Sequence, residues 1–318
     1  MPERAEILHL LCDEPAGSLR QEAEKITLAQ KGSHVFVRGL LEFSNRCKRN
    51  CLYCGLRAQN STIRRYLLPQ EAIIASSEMA VAAGADTVVL QAGEGCFDAG
   101  WLADIVREIT SRLGVPVTLS VGECARGDYE LWRKAGANRY LLRHETSDAA
   151  LYAKLHPGYS LENRLKCLRV LSSLGYEVGS GFMVGLPGQS LESIADDILL
   201  CRKLNVDMAG IGPFIPQGGT PLAAGQGGSA DLALRAVAAL RIAHPRVNQP
   251  ATTALASLDP ARGQAEGLRW GANVLMASFT PPDAAKDYRI YDNKCRVNMQ
   301  DAARAIEEAG RTHILKNI

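Results

Sequence analysis

From about residue 35, short apolar runs rich in β-branched residues alternate with longer stretches whose apolar positions recur every three or four residues. A run of four to eight apolar residues fits a strand buried on both faces. The three-to-four spacing fits a helix with one face on a core. The runs predict strands over Val35–Glu42, Thr87–Gln91, Val115–Val121, Arg139–Arg143, Val178–Val184, Met208–Phe214, Asn248–Ala254 and Ala272–Ala277. Helical patterns begin near Pro69, Gly100, Gly127, Ser147 with Ser160, Ser190, Ser229 and Asp259. Eight repeated strand–helix units imply parallel strands in an α/β fold, a (β/α)8 TIM-type barrel, complete or partly open.

The stretch Ser190–Leu204 shows the pattern in detail. Leu191, Ile194, Ala195, Ile198 and Leu199 follow helical spacing toward a core, whereas Glu192, Asp196, Asp197, Arg202 and Lys203 are expected to point away, with Ser190 as N-cap. Residues 1–34 read as a helical N-terminal extension with helices over Arg4–Cys12 and Ser18–Ala29. Residues 281–318 read as a short C-terminal tail with a helix over Asp301–Glu308. Gln217–Gly228 is Gly-rich and is expected to loop over the barrel mouth. No low-complexity tract or charge block divides the chain, so residues 1–318 are expected to form a single domain.

Composition narrows the function. The 36 Lys and Arg nearly balance the 34 Asp and Glu, and no basic stripe carries interleaved aromatics, so no nucleic-acid partner is expected. No apolar run reaches the roughly eighteen residues of a membrane span and the first residues do not read as a signal peptide, so no membrane association and a cytoplasmic location are expected. Nine cysteines, an odd number, argue against a disulfide framework. Cys12, Cys167 and Cys201 read as small buried hydrophobes on helices, and Cys96 and Cys124 as inert packing residues near the mouth.

Three of the cysteines carry the chemistry. Cys47, Cys51 and Cys54 stand in a C-x3-C-x2-C run directly after the first strand, with Tyr53 before the last thiol. A cubane has four irons, so three local thiolates leave one iron open to a small ligand. Zinc would need a fourth ligand, and no His or Cys follows Cys54 within twenty residues; His34, on the other side, has no finger-like spacing.

In a barrel, reactive groups gather where strands end. The second strand ends in Gln91-Ala92-Gly93-Glu94, the third in Gly122-Glu123, the fourth in Arg143-His144-Glu145, the sixth in Gly210-Ile211-Gly212, and the seventh carries Thr252-Thr253. Arg143 and Glu145 alternate along the chain and should face the barrel interior, paired with each other or with a ligand. Arg164 is placed to meet a carboxylate, and His144 reads as structural.

Together these residues resemble the radical S-adenosylmethionine (SAM) superfamily. The stretches Leu41–Asn45, Cys51–Arg57, Tyr140–Thr146, Met183–Gln189, Gly210–Pro216 and Ala251–Ala254 are similar to the HydE family, the radical maturases of [FeFe] hydrogenase. The resemblance implies one [4Fe-4S] cluster on Cys47, Cys51 and Cys54 with SAM on the fourth iron. It implies Tyr53 by the adenine, Gln91, Ala92, Gly93 and Glu94 at the methionine end, Glu145 at the ribose or amino portion, Arg164 at the carboxylate and Ile211 at the adenine edge. Arg143, Thr252 and Thr253 are implied as an anion site, and Met208, Met276, Tyr288 and Tyr291 as the substrate lining. The implied reaction is reductive cleavage of SAM to methionine and a 5′-deoxyadenosyl radical. The implied substrate is a sulfur- and iron-bearing small molecule, a cysteine-bound iron carbonyl cyanide unit, with other maturation proteins and a reductant as partners and the chain a monomer. The tail departs from some relatives in supplying only Cys295, so no second cluster is expected. A biotin-synthase-like or methylornithine-synthase-like enzyme on an organic substrate, and an iron–sulfur carrier without turnover, are the rival readings.

Overall fold

The computed structural model describes residues 2–313; Met1 and residues 314–318 at the end of the expected tail lie outside the described residues. The helices α1 (Arg4–Cys12) and α2 (Ala16–Lys31) precede β1 (Phe36–Ser44). There follow α3 (Gln70–Ala82), β2 (Thr87–Ala92), α4 (Ala99–Leu113), β3 (Val117–Ser120), α5 (Arg126–Ala135) and β4 (Ala137–Leu141). The second half comprises α6 (Ala149–Leu155), α7 (Leu161–Ser173), β5 (Glu177–Val184), α8 (Leu191–Lys203), β6 (Met208–Pro213) and α9 (Ala230–Ala243). The chain ends with α10 (Thr253–Leu258), α11 (Gly263–Arg269), β7 (Val274–Ser278), α12 (Pro282–Ala285) and α13 (Met299–Glu308).

The seven strands are parallel and run β6-β5-β4-β3-β2-β1-β7 across the sheet. This is the expected TIM-type α/β architecture with one correction. The expected strand over Asn248–Ala254 shrinks to isolated bridges that join the two sheet edges, Asn248 to Met208 of β6 and Pro250 to Val274 of β7. Pro250 has no amide to continue the ladder, and Thr252 is already the cap of α10, so the chain turns helical where a strand would extend.

Side chains alternate between two environments. Val88, Leu90, Val117, Leu119 and Tyr140 pack outward against α4, α5 and α7, and Phe182, Val184, Ala209 and Ile211 against α8 and α9. A Cβ on Gly39 would come within 2.6 Å of Ala80 on α3, so Gly39 faces the helices. Its neighbours Arg38 and Leu40, and Glu42 beyond them, therefore face inward. At the bottom of the barrel Arg38 donates to Met208 Sδ at 2.8 Å, and burial lowers its pKa to about 10.

Three expectations for helix residues are corrected, for Asp197, Leu191 and Cys12. Asp197 on α8 is fully buried rather than solvent-facing; it lies 3.4 Å from His144 Nε2 and accepts from the Ser147 amide, while Leu191 is exposed. A carboxylate that looks solvated by its spacing is here needed to satisfy a buried imidazole and an amide. Cys12, at the end of α1, is exposed, whereas Cys167 and Cys201 are buried. Ser190 does cap α8, accepting from the Ser193 amide at 3.1 Å. Among the described residues no helix is long and apolar enough to cross a membrane.

Candidate functional site

The loop after β1 carries the three thiols and is fastened to the neighbouring strand ends through its backbone. Lys48 N donates to Glu94 O at 3.0 Å, Leu52 N to Leu155 O at 2.9 Å and Gly55 N to Ile290 O at 3.0 Å. The Gly-rich segment after β6 docks on the same loop, with Leu222 N donating to Leu52 O. Gly93 is fixed by space: a Cβ there would run into the Arg46 carbonyl and Cys47.

Cys47 Sγ accepts from two backbone amides, Arg49 N at 3.4 Å and Glu94 N at 3.3 Å. Burial pushes all three thiols up, Cys51 to about 12, and Cys47 raises Cys51 while both raise Cys54 further. Thiolates so placed need a cationic centre to hold them. Among the described residues no set of three or more His, Cys, Asp or Glu side chains closes on one point as a single-ion site does. Three thiols on one loop, met by backbone amides and lacking a nitrogen or carboxylate co-ligand, fit a cubane, in which each thiolate takes a separate iron.

Beside the thiols lies a buried belt of alternating charge. Glu94 pairs with Arg49. Arg49 Nη2 lies 2.9 Å from Glu123 Oε2, and Arg164 Nε lies 2.8 Å from Glu123 Oε1. Arg164 also donates to Tyr152 Oη at 3.1 Å, and Asn163 Nδ2 donates to Glu123 at 2.6 Å. The Arg49 guanidinium sits 3.2 Å above the Tyr159 ring centre. Gly122 adopts a φ of +84°, and a Cβ there would collide with the Glu94 carboxylate, so glycine lets Glu94 lie across the end of β3. Two carboxylates and two guanidinia leave the belt neutral, a setting that accepts a zwitterion without a net charge change.

Tyr53 Oη is 2.8 Å from His156 Nε2, and His156 Nδ1 is 2.9 Å from the Tyr152 carbonyl. A carbonyl only accepts, so Nδ1 carries the proton and Nε2 accepts from Tyr53. Burial lowers the His156 pKa to about 4, which keeps the ring neutral.

The fourth strand's end is strained. Glu145 has φ +65°, held by Glu145 N to Gly181 O and Met183 N to Glu145 O. Its Oε2 stands 3.3 Å from Arg143 Nη2 as an ion pair without hydrogen-bond geometry, and Arg143 Nε is buried without a partner. Thr252 Oγ1 is likewise buried and unpartnered; a Cβ on inward-facing Gly212 would come within 2.7 Å of it. Thr253 opens α10, and its carbonyl accepts from Ser257.

The remaining expected residues are spread more widely. Gln91 and Ala92 end β2, and Tyr288 is buried in a small cluster with Leu56 and Ile63 against which Cys47 and Cys54 pack. Tyr291 stands with Tyr288 and Glu42 on the wall formed by segment 286–296. Ile211 packs its side chain into the outer core, leaving its main chain as what it offers the interior. Met208 and Met276 lie deep, Met208 against Arg38 and Met276 in register with it, at the opposite end from the thiols. His144 is fully buried, bonded to Ser180 at 2.9 Å. Arg49, Tyr152 and His156 are not among the expected site residues, and Glu123 is expected only to end a strand. The Gly122-Glu123 pair repeats Gly93-Glu94 at the adjacent strand end, which is a signal for Glu123. A single Arg between two Cys carries none.

The model of the radical SAM superfamily matches residues 41–201. The chain is 47% identical over 282 residues to the [FeFe] hydrogenase maturase subunit HydE of Thermotoga maritima, covering 88% of this chain and 80% of that protein. It is 30% identical over 281 residues to the 3-methylornithine synthase of Methanosarcina acetivorans, covering 87% and 79%. The crystal structure of methylornithine synthase superposes with a TM-score of 0.87 at 28% identity, over 98% of this chain and 94% of that one. A superfamily match across the thiol loop, the belt and half the barrel, with near-half identity along most of the chain, places this protein in the radical SAM superfamily and, within it, in the HydE family.

Proposed function

We propose that this chain is a radical SAM enzyme of [FeFe]-hydrogenase maturation, acting on a small sulfur- and iron-containing precursor of the hydrogenase's diiron subcluster. The observation that carries the reading is the contact between the thiol loop and the end of β2, where Cys47 Sγ takes the Glu94 amide at 3.3 Å. It brings a cluster-binding loop and a zwitterion-accepting belt into one compartment. When bound, the cluster and SAM together supply a one-electron cleavage to methionine and a 5′-deoxyadenosyl radical.

The protein's own groups bind, orient and exclude water. Cys47, Cys51 and Cys54 hold three irons. Glu94 and the Gln91–Gly93 turn receive the methionine end, and Arg164, already fixed by Glu123 and Tyr152, faces its carboxylate. Tyr53, oriented by His156, lies against the adenine, Glu145 reaches the ribose or amino portion, and the Ile211 main chain meets the adenine edge. Arg143 and Thr252, with unpartnered buried atoms, and Thr253 bind an anionic group of the substrate. Tyr288 and Tyr291 line the way in, while Met208 and Met276 line the floor. A reductant and other maturation proteins are its partners, and the chain works as a cytoplasmic single-domain monomer spanning residues 1–318.

The test is an anaerobic maturation mixture lacking this subunit. Reconstituted protein with a strong reductant should release 5′-deoxyadenosine and restore hydrogenase activity. Conversion of lysine to methylornithine without any iron complex would overturn the reading in favour of the organic-substrate relative.

A further inference from the structure

From Phe43 to Gln70 the chain carries six cations, Arg46, Lys48, Arg49, Arg57, Arg64 and Arg65, and no Asp or Glu. The other 30 Lys and Arg stand against all 34 Asp and Glu, so the positive excess of the chain gathers on the segment that holds the three thiols. Two of the six are neutralised locally, Arg49 by Glu94 and Glu123 inside the belt and Arg64 by Asp287 at 2.9 Å. Among the described residues no carboxylate pairs with the other four. Arg65 gives its N–H groups to the carbonyls of Asn45, Leu56, Arg57 and Asn60, which fixes the loop and cancels no charge.

The free cations stand on both shoulders of the thiol loop. Arg46 and Lys48 are exposed and flank Cys47, and the Lys48 side chain lies across Gly95, where an added Cβ would come within 2.6 Å of Nζ. On the other shoulder Arg57 gives its amide to the Cys54 carbonyl at 3.1 Å. Arg289 is exposed there, with its carbonyl against Gly55, and it too has no carboxylate partner among the described residues. Between the shoulders the three thiols are half-buried, and Gln59, Ser61 and Thr62 add a small exposed polar border. The remaining sides of the loop are taken by Leu155, Ile290 and Leu222 through main-chain bonds.

Unpaired cations on one loop give its outer face a positive potential. Such a face draws a negatively charged partner and speeds its arrival by about 10- to 1,000-fold at low salt. Because these cations diverge over two shoulders, they fit charge spread over a protein surface better than a single phosphate. The reaction proposed above needs an electron delivered to the thiol loop, and electron transfer weakens steeply with distance. A carrier held by these side chains rests on the loop itself. Complexes of this kind are small and transient, burying less than about 1,200 Å2, so a modest polar face is enough.

We propose that the face formed by Arg46, Lys48, Arg57 and Arg289 is the docking surface for an acidic one-electron carrier protein. On contact the carrier is oxidised by one electron and the cluster reduced by one; no proton moves and no covalent bond changes. This docking role deepens the function proposed above and rests on it, since only a cluster that must be reduced calls for such a partner.

The experiment gives reconstituted holoenzyme two reductants, a reduced acidic plant-type [2Fe-2S] ferredoxin and reduced methyl viologen, a small cation. Stopped-flow absorbance reads cluster reduction, and calorimetry reads binding of the oxidised ferredoxin. Ferredoxin binding and electron transfer should both weaken about tenfold or more as salt rises from about 50 to about 500 mM. The double variant Arg46→Glu/Lys48→Glu should lose about tenfold or more in both at low salt, while its iron content holds and the methyl viologen rate does not fall. Lys25→Glu/Lys134→Glu, which makes the same change of net charge at exposed sites on α2 and α5, should leave ferredoxin binding unchanged. Equal losses in the two double variants overturn the proposal, as does no loss in Arg46→Glu/Lys48→Glu. Slowing with both reductants also overturns it, because the cations would then serve the cluster alone. Arg46→Gln/Lys48→Gln should show a smaller loss in the same direction and remains informative if the charge reversal fails to fold. Absence of SAM cleavage with methyl viologen would sink the enzymatic reading whatever ferredoxin does; cleavage with methyl viologen but no ferredoxin preference for these residues would sink the docking surface alone.

Discussion

Arg49 Nη2 lies 2.9 Å from Glu123 Oε2, so the cation carried between the first two thiols is anchored to the end of the third strand. Glu123 in turn holds Arg164. Replacing Glu123 with Ala leaves two buried guanidinia sharing Glu94. Breaking a buried pair from one side costs about 3–5 kcal/mol. Urea unfolding should show a loss of that order, and SAM affinity, measured by equilibrium dialysis, should fall tenfold or more. Glu123→Asp, which keeps the charge, should recover part of both.

If each thiol holds its own iron, no one of the three can be spared. Single Cys47→Ala, Cys51→Ala and Cys54→Ala variants should each fail to retain a full complement of iron and sulfide after anaerobic reconstitution, and none should form 5′-deoxyadenosine. Cys295→Ala, whose amide donates to Ser257 Oγ away from the thiol loop, should keep its iron content. Metal analysis decides between them.

Gly93 and Gly17 make a matched pair of glycine substitutions. A Cβ at Gly93 meets the Arg46 carbonyl and Cys47, whereas one at Gly17, in the first turn of α2, meets nothing within 4 Å. Overpacking at Gly93→Ala should cost about 1–3 kcal/mol and lower iron retention. Gly17→Ala should stabilise by about 0.4–1 kcal/mol through the unfolded chain. Thermal melts of the two variants should move in opposite directions.

His156 makes stability depend on pH. Burial holds its pKa at about 4 in the folded protein, below the ordinary 6.5, so the unfolded chain binds more protons between those values. Stability should be full above about pH 6.5 and decline as pH falls toward 4, by about 3 kcal/mol in all. His244, also lowered chiefly by burial, adds in the same direction. Replacing His156 with Gln should flatten the acid limb of a Tm–pH profile and loosen Tyr53.

Much of this architecture is legible from residue order. Apolar β-branched runs locate the strands because a parallel sheet buries both faces of each. The spacing of Cys47, Cys51 and Cys54 marks the candidate cluster loop in the sequence because cluster ligation is local along a chain. What stays hidden depends on partners distant along the chain. Asp197 has the spacing of a solvated residue and is buried only because His144 and Ser147 meet it across α8. Arg49 looks like any loop arginine until Glu94, Glu123 and Tyr159 surround it. The expected strand over Asn248–Ala254 fails because its apolar content masks Pro250, whose missing amide decides how far pairing can run.

That short junction has a consequence for the interior. Near the floor, Asn248 and Gln249 stitch the two sheet edges through Ala209, Asn273 and Val274, but above Ala251 nothing in strand form spans the gap among the described residues. The circumference is therefore fixed at one end and free to flare at the other, like a cuff buttoned only at the wrist. Thr252 stands at the start of that slit with its hydroxyl facing Gly212, so the width available to a bulky guest is set by how α10 leans and not by ladder geometry.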